Sequence, residues 1–395
     1  MNNLGSFKLS PKEWDITDFM NVLNYLNVRN ILRIDSAWSP VPTYVIQRLS
    51  DGEIVEDCGK GLTPLDAFFS ALFESIERSS AESISKRELL TGSFGELKDK
   101  YNLCAPKEFF PKKQVTNDIV LKWCKGYELL SEEDIYVPLD TVAFPYDSKY
   151  FQVITTGLAA NRTKEETILH ALYELIEHDT LSIYYYTGLP GRDIELTRKD
   201  EPLYDIYQKF VNVGIKIAVK YLDNDLHIPT VLTLFEEIPG VPSVKTAGIG
   251  CHFDPFIAAR RALTECAQSA SFWLHRYLNG QIAEGKIFHP PLYFGSHYSV
   301  NCNPIRLQEI ENRSTGDVNI DLKLLLDLLK EVASRIIYVD LTREDFPFPC
   351  ARLLIPNFED LLIGDETVTK TKERAEIARK AVDEYIKNIS LEEGV

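Results

Sequence analysis

The sequence predicts a mixed α/β protein of the α+β type, in which three helices carrying glutamate pairs pack on mixed β-sheets around one site. Three observations predict this. Strand-like and helical patterns alternate along the chain. Three segments repeat one plan, a small-residue turn followed by a capped helix. The hydrophobic fraction is 45%, enough for a sizeable core.

The elements follow in order along the chain. An amphipathic helix is predicted at 13–28, strands with a turn at 30–47, strands and loops at 98–150, strands at 215–221 and 230–235, and a surface helix at 367–388. We divide the chain into an N-terminal addition at 1–50, a catalytic body at 51–362, and a C-terminal helix and tail at 363–395.

The composition indicates which classes of partner and which cellular compartment to expect. The formal net charge of −16 argues against nucleic acid, because phosphate backbones are bound by basic surfaces. The sequence contains no run of about 18 apolar residues and no basic–apolar N-terminal signal, so neither a membrane span nor a signal peptide is expected. Seven cysteines are scattered without a Cys-x-x-Cys pair, which is typical of a reducing compartment. We therefore expect a cytoplasmic protein.

The three repeated segments share their helix-start signals. Thr63 and Asp254 are predicted N-caps followed by proline, and Thr163 is an N-cap with Glu166 three residues later, as in a capping box. Positions 7, 11 and 14 after each cap are Ser70, Glu74 and Glu77; His170, Glu174 and Glu177; Arg261, Glu265 and Gln268. Steps of three or four residues return to the same side of a helix, so each triplet forms one polar face.

Such a face needs a ligand. The helices are otherwise rich in Ala, Leu, Ile and Phe, and helices of that composition are usually buried. Buried carboxylates three residues apart repel one another and lose hydration unless cations or donors meet them. A single pair such as Glu74 and Glu77 is more often a solvated surface turn, but three pairs at the same cap offsets favour a site.

The donor types predict the ligand. Carboxylate and carboxamide oxygens without a cysteine cluster favour Mg²⁺, which proteins commonly hold with a few carboxylates and substrate phosphates. The glycine turns and helix N-termini are candidate phosphate donors, with Lys60 and Arg162 as candidate charge contacts. No Walker A loop, complete dinucleotide fingerprint, nucleophile elbow or His-Glu-x-x-His motif is present. His170, His252, Cys251 and Cys266 are weaker candidates, each as well explained by packing or structural hydrogen bonds.

At these residues the sequence resembles the YcaO family. The motif Ser-x-x-x-Glu-x-x-Glu-Arg is matched by Ser70, Glu74, Glu77 and Arg78; the second block by Gly157–Ala159, Glu166, His170, Glu174 and Glu177; the third by Ala262–Gln268; and the late strand region by Asp340–Asp345 with Pro349, Arg352 and Pro356. The resemblance covers about residues 55–360. It implies a YcaO-like fold around one ATP site and an enzyme that phosphorylates a peptide backbone amide oxygen before a nucleophile attacks the carbonyl.

The resemblance also implies the site residues, except Arg162, which is expected at ATP because it lies beside the second glycine turn. Those expected at ATP are Lys60, Ser70, Glu74, Glu77, Arg162, Glu265 and Gln268, and those expected at Mg²⁺ are Glu77, Glu166, Glu174, Glu177 and Glu265. Three positions depart from the family pattern: His178 replaces the usual Arg, the Asn of the second turn is displaced to Asn161, and Ser269-Ala270 replaces Ser-Arg. The catalytic nucleophile is left open.

The C-terminus shifts the expected product. Many azoline-forming members end in a proline-rich tail, whereas this chain has no proline after Pro356. That favours thioamide formation with a partner protein, TfuA-like or leader-binding, acting on a peptide or protein substrate. An azoline- or amidine-forming cyclodehydratase is the first alternative, and a non-catalytic nucleotide-binding accessory protein is the second. The sequence leaves a homodimer open.

Overall fold

The structure is a computed structural model that describes residues 16–35, 38–109, 115–150, 153–187, 189–236, 246–281, 304–346 and 348–359. The predicted helix at 367–388 and the segment 363–395 lie outside these residues, as do residues 1–15 of the N-terminal addition. The proposed domain boundaries stay predictions. Within the described ranges, no helix is long and apolar enough to cross a membrane.

The first sheet has three strands in the order β1-β2-β3. Its elements are α1 (Ile16–Tyr25), β1 (Val28–Arg33), β2 (Thr43–Ser50), β3 (Glu53–Lys60) and the following helix α2 (Pro64–Ser83). Helix α1 falls within the predicted 13–28, and the predicted turn separates β1 from β2. The sheet delivers the first glutamate helix directly from the end of β3.

The second sheet is built from distant parts of the chain. Its order is β4-β5-β12-β13-β7, with β6 paired to β5. The elements are β4 (Leu90–Ser93), α3 (Phe94–Leu97), α4 (Pro106–Phe109), β5 (Val120–Glu128), β6 (Glu133–Pro138), β7 (Leu158–Ala160), α5 (Lys164–Thr187), and later α8 (Val318–Leu329), β12 (Ile337–Asp340) and β13 (Cys350–Leu354). Helix α5, the second glutamate helix, follows β7 and packs against β13 and α8.

The third sheet has the order β11-β10-β9-β8. Its elements are β8 (Arg192–Asp193), α6 (Leu203–Asn212), β9 (Lys216–Leu222), β10 (Thr230–Glu236), β11 (Thr246–Cys251) and α7 (Pro255–Leu278). The strands predicted at 215–221 and 230–235 correspond to β9 and β10. Helix α7, the third glutamate helix, covers β11 and β10.

Strand direction corrects one detail of the prediction. The mixed α/β class is confirmed, but every pairing between named strands in the described residues is antiparallel, whereas mixed sheets were expected. Connectivity explains part of this result, because β1, β2 and β3, and likewise β5 and β6, follow one another through short connections. Such connections join antiparallel neighbours, and parallel pairs need a longer crossover.

The predicted helix starts are largely correct. Thr63 makes a full capping box with Asp66, and the Asp254 carboxylate accepts from the Phe256 N–H at 2.8 Å. Thr163 accepts from the Glu166 N–H at 3.2 Å, but the Glu166 carboxylate accepts from Arg162 instead of closing the predicted box. Because the caps already engage these first-turn N–H groups, the helix N-termini are poorer phosphate donors than expected.

The small residues before the helices are mostly in strands. Gly59 lies in β3 and Gly250 in β11, where turns with phosphate-facing backbone were expected. A Cβ on Gly59 would lie 1.9 Å from the Ala71 nitrogen, and one on Gly250 would lie 2.3 Å from the Ala258 oxygen. These glycines therefore allow a strand and its own helix to touch, which is the physical reason for the small residues.

The three strand–helix units form a closed ring. Helix α2 contacts β7, the strand that precedes α5; α5 contacts β11, the strand that precedes α7; and α7 contacts β3, the strand that precedes α2. The alanines eight residues after each cap, Ala71, Ala171 and Ala262, are all fully buried in this packing. The polar faces of all three helices consequently converge on the centre of the ring.

Candidate functional site

A cavity of about 820 Å³ lies where the three helices meet. All nine side chains at the counted offsets line it: Ser70, Glu74, Glu77, His170, Glu174, Glu177, Arg261, Glu265 and Gln268. Lys60 and Glu166 line it as well. The offsets counted from the predicted caps thus identify residues that share one cavity, at a size that ordinary ligand sites have.

The last position of each triplet fixes the ring. Glu77 accepts a hydrogen bond from the Ala160 N–H of β7 at 2.9 Å, and Glu177 accepts one from the Cys251 N–H of β11 at 2.9 Å. Gln268 closes the cycle by donating from Nε2 to the Cys58 carbonyl of β3 at 2.6 Å. Each helix therefore binds the strand that precedes the next helix. In the third helix this last position is an amide, Gln268, and not a glutamate, because its partner on β3 is a carbonyl, which accepts a hydrogen bond.

The middle positions differ in their cation partners. Glu74 accepts from Arg78 Nε at 2.7 Å, and Glu265 forms a 2.7 Å ion pair with Lys60 Nζ across the ring. Burial raises the pKa of Glu174 well above its usual range, and the nearby Glu177, Glu77 and Glu74 carboxylates raise it further. Of the three, Glu174 is the position where the electrostatics most favour an added cation.

Glu177 is also desolvated. Burial, with repulsion from Glu265, raises its pKa to about 8, against the lowering effects of Arg261, Lys60 and the Cys251 N–H. A carboxyl group in this state holds a proton at neutral pH until a cation replaces it. The electrostatics at Glu174 and Glu177 therefore favour a bound cation.

The start of α7 adds positive charge and a neutral histidine. Arg260 and Arg261 both line the cavity, and burial with the neighbouring Arg261 lowers the pKa of Arg260 to about 10. Burial and these two arginines lower the pKa of His252 to about 3. His252 Nδ1 accepts from the Asp254 N–H at 2.9 Å, so its Nε2 carries the hydrogen. This end of the cavity suits an anion.

The opposite end of α7 contains residues that the sequence reasoning missed. Phe272, Trp273 and Arg276 line the cavity, and the Arg276 guanidinium lies 5.7 Å and 5.9 Å from the two ring centroids. A signal was available, because Phe272 and Arg276 continue the face of Gln268 in steps of four. The three offsets of 7, 11 and 14 end at Gln268 and therefore do not include Phe272 and Arg276.

Some of the residues that the sequence suggests for the site have other roles in the structure. Arg162 does not line the cavity; its Nη2 donates to Glu166 Oε1 at 3.0 Å. Cys251 and Cys266 are fully buried, and burial raises the pKa of each thiol, so they behave as packing residues. Of the three positions that depart from the family pattern, His178 and Asn161 line the cavity, whereas Ala270 is buried in the core.

The donors fit a hard cation that is shared with phosphates. Glu166 Oε2 is buried and has no hydrogen-bond partner, which leaves one carboxylate oxygen for a cation. In the described part of the chain, no three His, Cys, Asp or Glu side chains already stand close enough to hold a metal ion by themselves. Mg²⁺ does not require such a cluster, since it keeps waters and phosphate oxygens among its ligands.

The family follows from the sequence match. Residues 58–359 match the family model described as YcaO cyclodehydratase, ATP- and Mg²⁺-binding. The chain belongs to the YcaO family. ATP and Mg²⁺, the ligands that the sequence predicts, are those of the family, so that prediction is confirmed together with the resemblance.

The chain is also similar to individual proteins that have no assigned function. An uncharacterized protein of Methanothermobacter thermautotrophicus is 28% identical over 366 residues, spanning 89% of this chain and 94% of the relative. An uncharacterized protein from the tfuA 3′ region of Rhizobium leguminosarum bv. trifolii is 28% identical over 235 residues, or 53% of this chain and 54% of that protein.

A solved structure has the same fold. YcaO from Methanopyrus kandleri, bound with AMPPCP and Mg²⁺, superposes with a TM-score of 0.77 at 22% identity, covering 94% of this chain and 98% of that one. The match extends over nearly the whole of both chains, so the three-sheet ring is the fold of this YcaO structure.

Proposed function

We propose that this YcaO protein uses ATP to phosphorylate a backbone amide oxygen of a peptide, and that the activated amide becomes a thioamide with the help of a partner protein. In this reaction the amide oxygen attacks the γ-phosphorus and ADP leaves. A sulfur nucleophile then attacks the amide carbon, and the former amide oxygen leaves as phosphate. The substrate peptide and the sulfur donor come from outside the chain.

One observation carries the proposal: three helix faces bring six glutamates into a single cavity that also contains Lys60, Arg260 and Arg261. Those glutamates are Glu74, Glu77, Glu166, Glu174, Glu177 and Glu265. Phosphoryl transfer depends on positioning and charge neutralisation more than on a reactive side chain. A cavity with carboxylates for a cation and basic groups for phosphates meets both needs.

The chain's own residues take separate roles in this proposal. Glu166, Glu174 and Glu177, with Glu77 and Glu265, hold Mg²⁺, whose charge neutralises the phosphates when it is bound. Lys60 and Ser70 face the phosphates, and Glu74 and Gln268 orient the nucleotide. Arg162 acts through Glu166, since its guanidinium binds that carboxylate and lies outside the cavity lining.

The relative from the tfuA region supports a partner of the TfuA kind. Its identity extends over only 53% of this chain, so the partnership is a proposal for this protein.

The first test is Mg²⁺-dependent ATP binding by calorimetry. We expect wild type to bind and a variant with Glu174→Ala and Glu177→Ala to lose binding. A matched control removes two adjacent acids from the exposed start of strand β6, Glu133→Ala with Asp134→Ala, and should bind like wild type. Equal binding by the glutamate variant and wild type would overturn the site assignment.

The second candidate is cyclodehydration to an azoline or amidine, which the description of the family model favours. Mass spectrometry of a peptide incubated with the enzyme, ATP, a sulfide source and the partner separates the two. A gain equal to replacing oxygen by sulfur supports the thioamide, and loss of one water supports cyclodehydration. Partner-stimulated ATP turnover that disappears with the glutamates argues against a purely accessory role.

A further inference from the structure

A series of charged side chains runs from the cavity wall into the first sheet. Glu74 lines the cavity, and its Oε1 accepts from Arg78 Nε at 2.7 Å. The same Arg78 nitrogen lies 3.5 Å from Asp57 Oδ1, and Asp57 Oδ2 accepts from Arg48 Nε at 2.6 Å. Asp57 therefore lies between two guanidinium groups, one of which contacts the cavity.

Asp57 is the buried centre of this series. It lies in β3 between Glu56 and Cys58, which both line the cavity, whereas Asp57 does not. Since successive strand side chains point to opposite faces, its carboxylate lies behind the cavity wall. It is fully buried and Arg48 is 2% exposed, so the pair is shielded from water. A buried carboxylate needs such partners, because desolvation is otherwise costly.

The outer guanidinium has a second carboxylate of its own. Arg48 donates through both terminal nitrogens to Glu82, at 2.9 Å and 2.6 Å, and so remains paired whether or not Asp57 is charged. Arg78 is different: its side chain is 31% exposed at the cavity, and its carboxylate partners are Glu74 and Asp57. Asp57 Oδ1 thus lies behind Arg78 Nε as an ion-pair partner without a hydrogen bond, while Glu74 accepts a hydrogen bond from the same nitrogen on the cavity side.

We propose that Asp57 is a positioning residue for the nucleotide site, acting through Arg78 on Glu74. The inference rests on the proposed ATP function and names a residue outside the motifs that line the cavity. An isolated Glu–Arg pair at i and i+4 contributes little to stability, too little to hold two long side chains in one geometry. The buried Asp57 supplies the fixed point, as outer partners do for metal ligands.

The test is a double-mutant cycle on the dissociation constant for Mg·ATP, measured by calorimetry. Asp57→Asn keeps the shape and removes the charge, and we expect it to weaken binding by about tenfold, the lower end of what outer partners of metal ligands contribute. Glu74→Gln should weaken binding as well. In the Glu74→Gln background, Asp57→Asn should then have little further effect, because its influence passes through Glu74.

A second variant covers the case in which Asp57→Asn fails to fold. Arg78→Lys keeps a cation at the more exposed position but loses Nε, the nitrogen that lies between the two carboxylates, and should show the same coupling to Glu74. The matched control is Asp193→Asn, which removes a carboxylate from the Lys220–Asp193 ion pair in another sheet and should leave ATP affinity unchanged.

The outcomes are distinct. A wild type that binds no Mg·ATP would refute the proposed function itself. A wild type that binds, together with effects of Asp57→Asn and Glu74→Gln that simply add, would refute the positioning role and leave the function standing. Asp57→Asn and Asp193→Asn variants that both lose stability but keep wild-type affinity would reduce Asp57 to a structural ion pair.

Discussion

Binding of Mg·ATP should release protons from Glu177 and Glu174, whose pKa values are both raised. With a pKa of about 8, about nine-tenths of the Glu177 side chains are protonated at pH 7 when no cation is bound. A cation binds the carboxylate, so the proton must leave when the site fills. We therefore expect release of about 0.9 proton or more per site at pH 7, with Glu174 adding to it, and about 0.1 from Glu177 at pH 9.

Calorimetry in buffers of different ionisation enthalpy measures this number. The observed heat varies with buffer in proportion to the protons released, and pre-formed Mg·ATP keeps the nucleotide's own protons out of the balance. Glu177→Gln should lower the release at pH 7 by nearly one proton. Heats that do not depend on the buffer, or a release unchanged in Glu177→Gln, would refute the reasoning.

The same shift fixes the sign of the pH dependence. A carboxyl group whose pKa is raised by folding binds more protons in the native state than in the unfolded chain between about pH 5 and pH 8. The free energy of unfolding without ligand should therefore fall as pH rises through this range. Affinity for Mg·ATP should rise over the same range and level off above it.

Three substitutions give further checks. Gly250→Ala would place a methyl 2.3 Å from the Ala258 oxygen and should lower the free energy of unfolding by about 2 kcal/mol or more in denaturant titrations, while Gly95→Ala, with 3.6 Å of clearance, should change little. Gln268→Glu replaces the donor to the Cys58 carbonyl with an acceptor and should lower the free energy of unfolding by about 2 kcal/mol. An unchanged free energy of unfolding would contradict the contact between α7 and β3. Lys60→Met should weaken Mg·ATP binding by about tenfold; undiminished affinity would remove Lys60 from the phosphates.

More of the site than of the sheet topology could be predicted from the sequence. Counting from Thr63, Thr163 and Asp254 worked because a helix repeats every 3.6 residues, so a face can be identified without knowing what it packs against. The resemblance to the YcaO family then indicated the ligand. The prediction of mixed sheets was wrong, because antiparallel and mixed sheets share the same strand patterns and differ in distant pairings such as β5 with β12.

Two residues show why the rest of the site could not be predicted from the sequence. The position of Arg162 beside the second glycine turn predicts a phosphate contact. Its guanidinium instead donates to the Glu166 carboxylate, four residues later in the chain. Asp57 gave no periodic signal, since a single acid in a strand reads as an ordinary polar position. Its role depends on Arg48 and Arg78, which approach it only after β2, β3 and α2 have packed together.

The most direct measurement of the central claim is a crystal structure with a non-hydrolysable ATP analogue and Mn²⁺ in place of Mg²⁺. Manganese gives an anomalous signal, so the ion's place can be assigned independently of the nucleotide. The account predicts a peak within about 2.0–2.2 Å of carboxylate oxygens from the three-helix ring, Glu174 or Glu177 among them, with phosphates beside Lys60. Nucleotide and metal bound outside this cavity, or a metal held without any of these glutamates, would contradict it.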